Sequence, residues 1–272
     1  MYPLRGAIAR ALGLEENQVR CIHAESGGVY GHNGADDAAC DAAAIAIHLP
    51  GRPVKLQWHR AGEFSSEPYG SAMTVSTQAG LNPQGKIVSW KQDVWSCTHS
   101  TRPGGAAGAG HLLYAQQKQD PLPAPPMRSI PQPSGGADRN AVPLYDIPAL
   151  KVNKHLIPEM PLRVSALRSL GAYANVFAIE SFMDELAAAA SVDPFEFRLD
   201  HLSDERARSV LERLRELSGW TGKPKGGSGE GWGIGFAKYK NLSAYTATHD
   251  EFDHVIQKRY LAKRPSDFRR PA

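Results

Sequence analysis

The residues with most chemical potential are Glu25-Ser-Gly-Gly-Val-Tyr-Gly-His-Asn-Gly34, followed by the acidic, alanine-rich run Ala35-Asp-Asp-Ala-Ala-Cys-Asp41. Gly27, Gly28 and Gly31 lack a Cβ, so their backbone can approach a ligand and expose bare N–H groups. Tyr30 sets an aromatic ring among them. A helix beginning just after adds unpaired N–H donors and a partial positive charge. Such a loop seats an anionic group, whether phosphate, pterin or metal-oxo. No Gly-Lys-Ser/Thr follows and Gly-x-Gly-x-x-Gly is absent, which excludes a Walker loop and a dinucleotide fingerprint. Taken alone, the stretch also reads as a tight turn.

Other reactive residue types fall into no familiar pattern. His23, His32, Asp36, Asp37, Asp41 and His48 cluster in sequence, but their spacing is not that of a helical His-x-x-x-His pair. They read as helix-start carboxylates and solvated histidines. No metal site and no Ser/His/Asp or Cys/His arrangement is assigned. Cys21, Cys40 and Cys97 form no Cys-x-x-Cys pair and read as small buried thiols, so an iron–sulfur cluster would have to sit on another chain. Glu180, Asp184 and Glu185 read as solvated charges of a helix. Arg168, just before Gly171, reads from its own surroundings as an arginine at a helix start, reaching solvent.

The elements that must position these groups can be read from periodicity. A short helix is expected over 4–12, ended by Gly13, then a strand over 19–24 entering the glycine loop. A helix is expected over 36–49 and a half-buried strand over 54–58, where Val54, Leu56 and Trp58 alternate with polar residues. Strands over 72–79 and 86–97 flank the turn Leu81-Asn-Pro-Gln-Gly85. Arg102–Gly110 is too rich in glycine to hold regular structure unaided. Residues 121–161 carry ten of the twenty prolines and read as a loop or linker between two lobes. Beyond it, Val176, Ile179, Met183, Leu186 and Ala190 share a helical face. Asp193-Pro194 and Asp204 start two more helices, the second with Val210, Leu214 and Leu217 on one face and Gly219 at its end. Gly231–Phe236 reads as a strand in a tightly packed sheet. The fold class is therefore α+β, mixed sheets with packed helices.

Composition narrows the partners. A net charge of +3 over 272 residues, with scattered Lys and Arg, gives little support to nucleic-acid binding. No apolar run approaches the ~18 residues of a membrane span. The first ten residues lack the long apolar core of a signal peptide.

Gly28-Val-Tyr-Gly31, Gly51-Arg-Pro-Val-Lys-Leu-Gln-Trp58 and Leu167-Arg-Ser-Leu-Gly-Ala-Tyr-Ala-Asn-Val-Phe-Ala-Ile-Glu-Ser-Phe-Met-Asp-Glu-Leu186 follow in order. Together they resemble the large, molybdenum-cofactor-binding subunit of the xanthine dehydrogenase/aldehyde oxidase family, in the branch of isoquinoline 1-oxidoreductase beta and nicotinate dehydrogenase. The resemblance runs over most of residues 4–247 and rests on order and spacing. It implies a partial first molybdopterin-binding lobe over 1–118, a proline-rich linker over 119–161, the start of a second lobe over 162–247, and a divergent, poorly ordered tail over 248–272.

The resemblance further implies a molybdenum–molybdopterin cofactor in its cytosine dinucleotide form, bound by Gly27, Gly28, Tyr30, Gly31, Arg168 and Gly171. A [2Fe-2S] cluster is expected only on a small partner subunit, and the remainder of the large subunit is a further partner. The reaction implied is hydroxylation of an N-heteroaromatic or aldehyde with oxygen from water, in the cytoplasm or periplasm. Ser169 and Leu170 stand where many relatives carry Gly and Phe. The family's glutamate base comes late, in a Gly-x-x-Glu context; Glu230 comes too early, so no catalytic residue is assigned. The chain reads as a piece of such an enzyme, unable to catalyse alone, or as an inactive truncated paralogue serving as a binding or scaffold module.

Overall fold

Three helix starts show how local sequence sets the elements. Asp193 caps its helix by accepting from the amides of Phe195 (2.8 Å) and Glu196 (3.3 Å), with Pro194 in the first turn, where no amide partner is lost. Asp204 accepts from Arg206 and Ala207 in the same way, and Gly219 ends that helix in the left-handed conformation. Pro3 opens the first helix. The structure, a computed structural model, describes residues 2–25, 36–102, 106–222 and 230–253.

In chain order the helices are α1 (Tyr2–Leu12), α2 (Asp37–Ala46), α3 (Arg60–Ser66), α4 (Leu113–Gln117), α5 (Ala172–Ala189), α6 (Pro194–Leu199) and α7 (Glu205–Ser218). The strands are β1 (Tyr69–Gly70), β2 (Met73–Leu81), β3 (Ile87–Ser96), β4 (Ala149–Leu156), β5 (Val164–Ser165), β6 (Glu230–Lys238) and β7 (Tyr245–Asp253). β1 and β5 pair in parallel, β2, β3 and β4 form a sheet in that order, and β6 pairs antiparallel with β7. Helices and mixed sheets make this an α+β fold, as expected. Among the described residues no helix is long and apolar enough to cross a membrane.

The chain divides into two compact units. The first comprises Met1–Val75, Asp93–Arg139 and Asn153–Tyr173. Its core sets Leu4, Ala7, Ile8 and Ala11 of α1 against Cys40, Ala109, Leu112 and Ala115. The second comprises Ser76–Gln92, Asn140–Val152 and Ala174–Ala272. Its core gathers Trp90, Ile179, Met183, Phe195, Phe197, Leu211, Ile234 and Phe236.

Several elements differ from expectation. Residues 19–24 and 54–58 are not strands. Alternation at 54–58 is kept as alternating half-burial of a segment without regular structure, whose Trp58 Nε1 donates to Asp41 Oδ2 at 3.1 Å. Within the proline-rich stretch, β4 occupies the proline-free window between Pro148 and Pro158, where every amide can serve a ladder. Ala106–His111 forms a 3-10 helix. The buried stripe of α7 runs through Ala207 and Leu211, leaving Leu217 68% exposed. β7 continues past Ala247 to Asp253, because ladder hydrogen bonds come from the backbone and tolerate polar side chains.

Glu180 also departs from its reading as a solvated charge. It is buried, and its carboxylate accepts from Tyr145 Oη (2.8 Å), Arg198 Nε (2.9 Å) and the amide of Phe236 (3.1 Å). Arg198, fully enclosed, also donates to Asp184 at 2.7 Å. This network knits α5, α6 and β6 inside the second unit. Each buried charge has a partner there, which is the condition for tolerating it.

Candidate functional site

The first unit holds Asp37, His99, Arg163 and the Arg168–Gly171 turn. Residues 26–35, which include Gly27, Gly28, Tyr30 and Gly31, lie outside the described residues. The helix expected after them is present as α2, and its first residue is the anchor. Asp37 accepts two hydrogen bonds from one guanidinium: Arg163 Nη1 to Oδ2 at 2.6 Å and Arg163 Nη2 to Oδ1 at 2.9 Å. The amide of Leu113 donates to Asp37 Oδ1 at 2.8 Å. Arg163 also reaches the carbonyls of Ser66 (3.1 Å) and His111 (2.8 Å). One guanidinium thus fixes the start of α2 against three other chain segments. Asp37 is the helix-start carboxylate expected, and it is buried. Asp41 is engaged by Trp58, whereas His23 and His48 are exposed. Among the described residues no cluster of His, Cys, Asp and Glu could hold a metal ion.

The turn between β5 and α5 carries Arg168 and Gly171. Arg168 is exposed. The next two residues, Ser169 (φ 73°) and Leu170 (φ 54°), both sit in the left-handed region, which L side chains enter at a cost. Consecutive strained non-glycine residues are the kind of feature that concentrates at ligand sites. Gly171 donates its amide to Gly136 O at 3.0 Å. A Cβ there would lie 2.3 Å from Ala137 O and 2.5 Å from Gly136 O, so only glycine fits. Its amide is committed to protein backbone; Gly171 shapes the turn by close packing. Leu167, on the other side of Arg168, packs over Gly70.

A polar interior in the same unit is centred on Thr98. Ser71 Oγ donates to Thr98 O at 2.5 Å, and Thr98 Oγ1 donates to Arg128 O at 2.7 Å. Next to these bonded residues stand three buried polar atoms without a partner among the described residues: His99 Nδ1, Ser129 Oγ and Ser165 Oγ. Ser96 Oγ gives its proton to Ala72 O (3.0 Å), so His99 Nε2, 3.0 Å from the same oxygen, must donate to it. Nδ1 is then left as a bare acceptor. Burial, aided by the charge of Arg139, pushes the His99 pKa down to about 4, so the ring is neutral near pH 7. Buried polar atoms are normally satisfied, and each such orphan marks a demand met by ordered water or a ligand. A pterin rim carries N–H donors, the partner that the bare His99 Nδ1 requires.

Cys40 and Cys97 are buried as expected, and burial pushes the Cys40 thiol up to about 12. Cys21 is only half-buried. Neither Arg163 nor His99 was legible as a site residue. Arg163 and Asp37 are 126 residues apart, and no spacing rule joins them. For His99 a weak signal existed: the polar run Thr98-His-Ser-Thr101 at the end of a strand that is otherwise largely buried.

The model of the molybdopterin cofactor-binding domain matches residues 1–109 and 134–202. The chain belongs to the molybdopterin cofactor-binding domain family. The matched residues span the glycine loop, Asp37, His99, Arg163 and the Arg168–Gly171 turn. The chain is 33% identical over 217 residues to a nicotinate dehydrogenase subunit of Pseudomonas putida, covering 80% of this chain and 17% of that protein. It is 24% identical over 253 residues to the beta subunit of isoquinoline 1-oxidoreductase of Brevundimonas diminuta, covering 92% of this chain and 30% of that one. Among solved structures it resembles quinoline 2-oxidoreductase from Pseudomonas putida 86, with a TM-score of 0.61, 15% identity, and coverage of 87% of this chain and 30% of that one. Aldehyde oxidoreductase from Desulfovibrio gigas gives a TM-score of 0.58 at 19% identity, covering 84% of this chain and 24% of that one. These structures share the fold. The chain spans less than a third of the length of these relatives.

Proposed function

We propose that this chain is the cofactor-binding part of a molybdenum hydroxylase, an oxidoreductase acting on an N-heteroaromatic or aldehyde substrate. The observation that carries the reading is the family match running through both the glycine loop and the Arg168–Gly171 turn. When bound, the molybdenum–molybdopterin group, taken here in its cytosine dinucleotide form, supplies the two-electron chemistry by which oxygen from water reaches an electron-poor carbon. The chain's own residues bind and orient. Gly27, Gly28, Tyr30 and Gly31 hold the anionic parts of the cofactor with bare amides at the N-terminal end of α2. Asp37 and Arg163 keep that helix end in register. Arg168, exposed on a strained turn whose tight seat is Gly171, presents a planar guanidinium to cofactor or substrate oxygens. His99, neutral, offers an acceptor to a ligand N–H.

No proton-abstracting base is assigned to this chain. The remainder of a large subunit supplies it in this reading, and a small subunit carries the [2Fe-2S] cluster that takes electrons onward. The assembly is placed in the cytoplasm, with the periplasm as the alternative compartment. The test is molybdenum and pterin analysis of the full chain produced in cells that make the cofactor, alongside Gly31→Val. Stoichiometric cofactor in the parent and its loss in the variant, with circular dichroism unchanged, is the expected result. A parent chain free of molybdenum and pterin would instead assign it to a binding or scaffold role.

A further inference from the structure

The first unit contains a cleft of about 450 Å³ that the cofactor reading does not use, lined by Arg102, Arg128, His111, Gly108, Pro125 and Met127 among others. Its volume lies in the range of small-molecule sites, roughly 300–1,000 Å³. Both arginines are exposed, and neither guanidinium makes a hydrogen bond or ion pair to a described residue. Arg102 lies in the field of Asp36; Asp37, next to it in the chain, is taken up by Arg163. The positive charge at the cleft is therefore not fully answered within the unit.

The backbone holds the two arginines in one place. Thr98 Oγ1 donates to Arg128 O at 2.7 Å and accepts from the Ser100 amide at 3.2 Å. Thr101 Oγ1 donates to Val164 O at 2.7 Å, which fixes the residue before Arg102. A single threonine hydroxyl thus ties the segment leading to Arg102 to the segment carrying Arg128. His111 adds a ring whose pKa burial and Arg163 lower, so it serves as a neutral hydrogen-bonding group. Pro125 and Met127 supply apolar wall, which a bare inorganic ion would leave unused.

We infer that this cleft binds a small organic oxyanion, a carboxylate on a flat apolar body, with Arg102 and Arg128 gripping the carboxylate and Pro125 and Met127 covering the body. Two forked guanidiniums suit carboxylate oxygens better than ammonium groups would. The inference does not depend on cofactor content, because every group it uses belongs to the described chain.

The experiment is calorimetric titration of the full chain, purified free of molybdenum and pterin, with sodium benzoate and separately with sodium phosphate. Saturable benzoate binding is expected, weakened at least tenfold in Arg102→Gln/Arg128→Gln with an unchanged circular dichroism spectrum. Both side chains are exposed, so the variant retains the fold. Met127→Ala should weaken benzoate and leave phosphate unaffected. No saturable benzoate binding, or equal binding by the double variant, would overturn the inference. Phosphate binding as tight as benzoate would overturn the organic ligand.

Discussion

Asp37 and Arg163 face each other in a two-pronged ion pair, Nη1 to Oδ2 at 2.6 Å and Nη2 to Oδ1 at 2.9 Å, across 126 residues of chain. Asp37 is 4% exposed, and the same guanidinium serves two carbonyls. The pair is the described link between the helix that follows the glycine loop and the strand that leads to Arg168.

Removing one partner strands the other in a poorly solvated place. Asp37→Ala should lower unfolding free energy by roughly 3 kcal/mol, at the low end for a buried pair because Arg163 keeps partial access to water. Arg163→Lys should cost about half as much, since one ammonium cannot reach all three acceptor groups. Urea unfolding of the two variants measures both losses. A change under about 0.5 kcal/mol in Asp37→Ala would show that the pair does not anchor α2.

The turn at 169–171 separates two glycine questions. Ser169 has φ 73°, so Ser169→Gly removes left-handed strain and should stabilise the chain by up to about 1 kcal/mol. Gly171→Ala drives a methyl against two backbone carbonyls that cannot swing aside, and should cost about 3 kcal/mol. Thermal melts of the two variants should move in opposite directions. If both fall, the φ at Ser169 is not strained.

His99 makes stability depend on pH in the acid range. Its folded pKa is about 4 against an ordinary 6.5, so between those values the unfolded chain binds a proton that the folded chain refuses. Stability from this residue is therefore intact above pH 6.5, falls as pH drops, and reaches a full loss of about 3 kcal/mol near pH 4. In His99→Gln the slope of unfolding free energy between pH 6.5 and about 4 should flatten. An unaltered slope would mean that His99 protonates freely in the folded state.

Much of the local structure was legible because it depends on neighbours in the chain. Asp193-Pro194, Asp204 and Gly219 bound their helices through bonds to residues within a few positions, and Asn82 with Gly85 closes the β2–β3 hairpin by the same short reach. The apolar steps Ile179, Met183 and Leu186 likewise foretold which face of α5 is buried. The order of the glycine loop and the Arg168–Gly171 turn was enough to point to the family. Tertiary structure decided the rest. Alternation at 54–58 could not say whether a neighbouring strand would be there to pair with. The carboxylate of Glu180 became buried only because Arg198, Tyr145 and the Phe236 amide converge on it from other elements. Which of Asp36 and Asp37 would be enclosed depended on Arg163, and the orphaned Nδ1 of His99 depended on the competing claim of Ala72 on the Ser96 proton. Pairings between distant residues obey no sequence period; they are set by which surfaces meet when the chain packs, and that is where a charge or a ring acquires its chemistry.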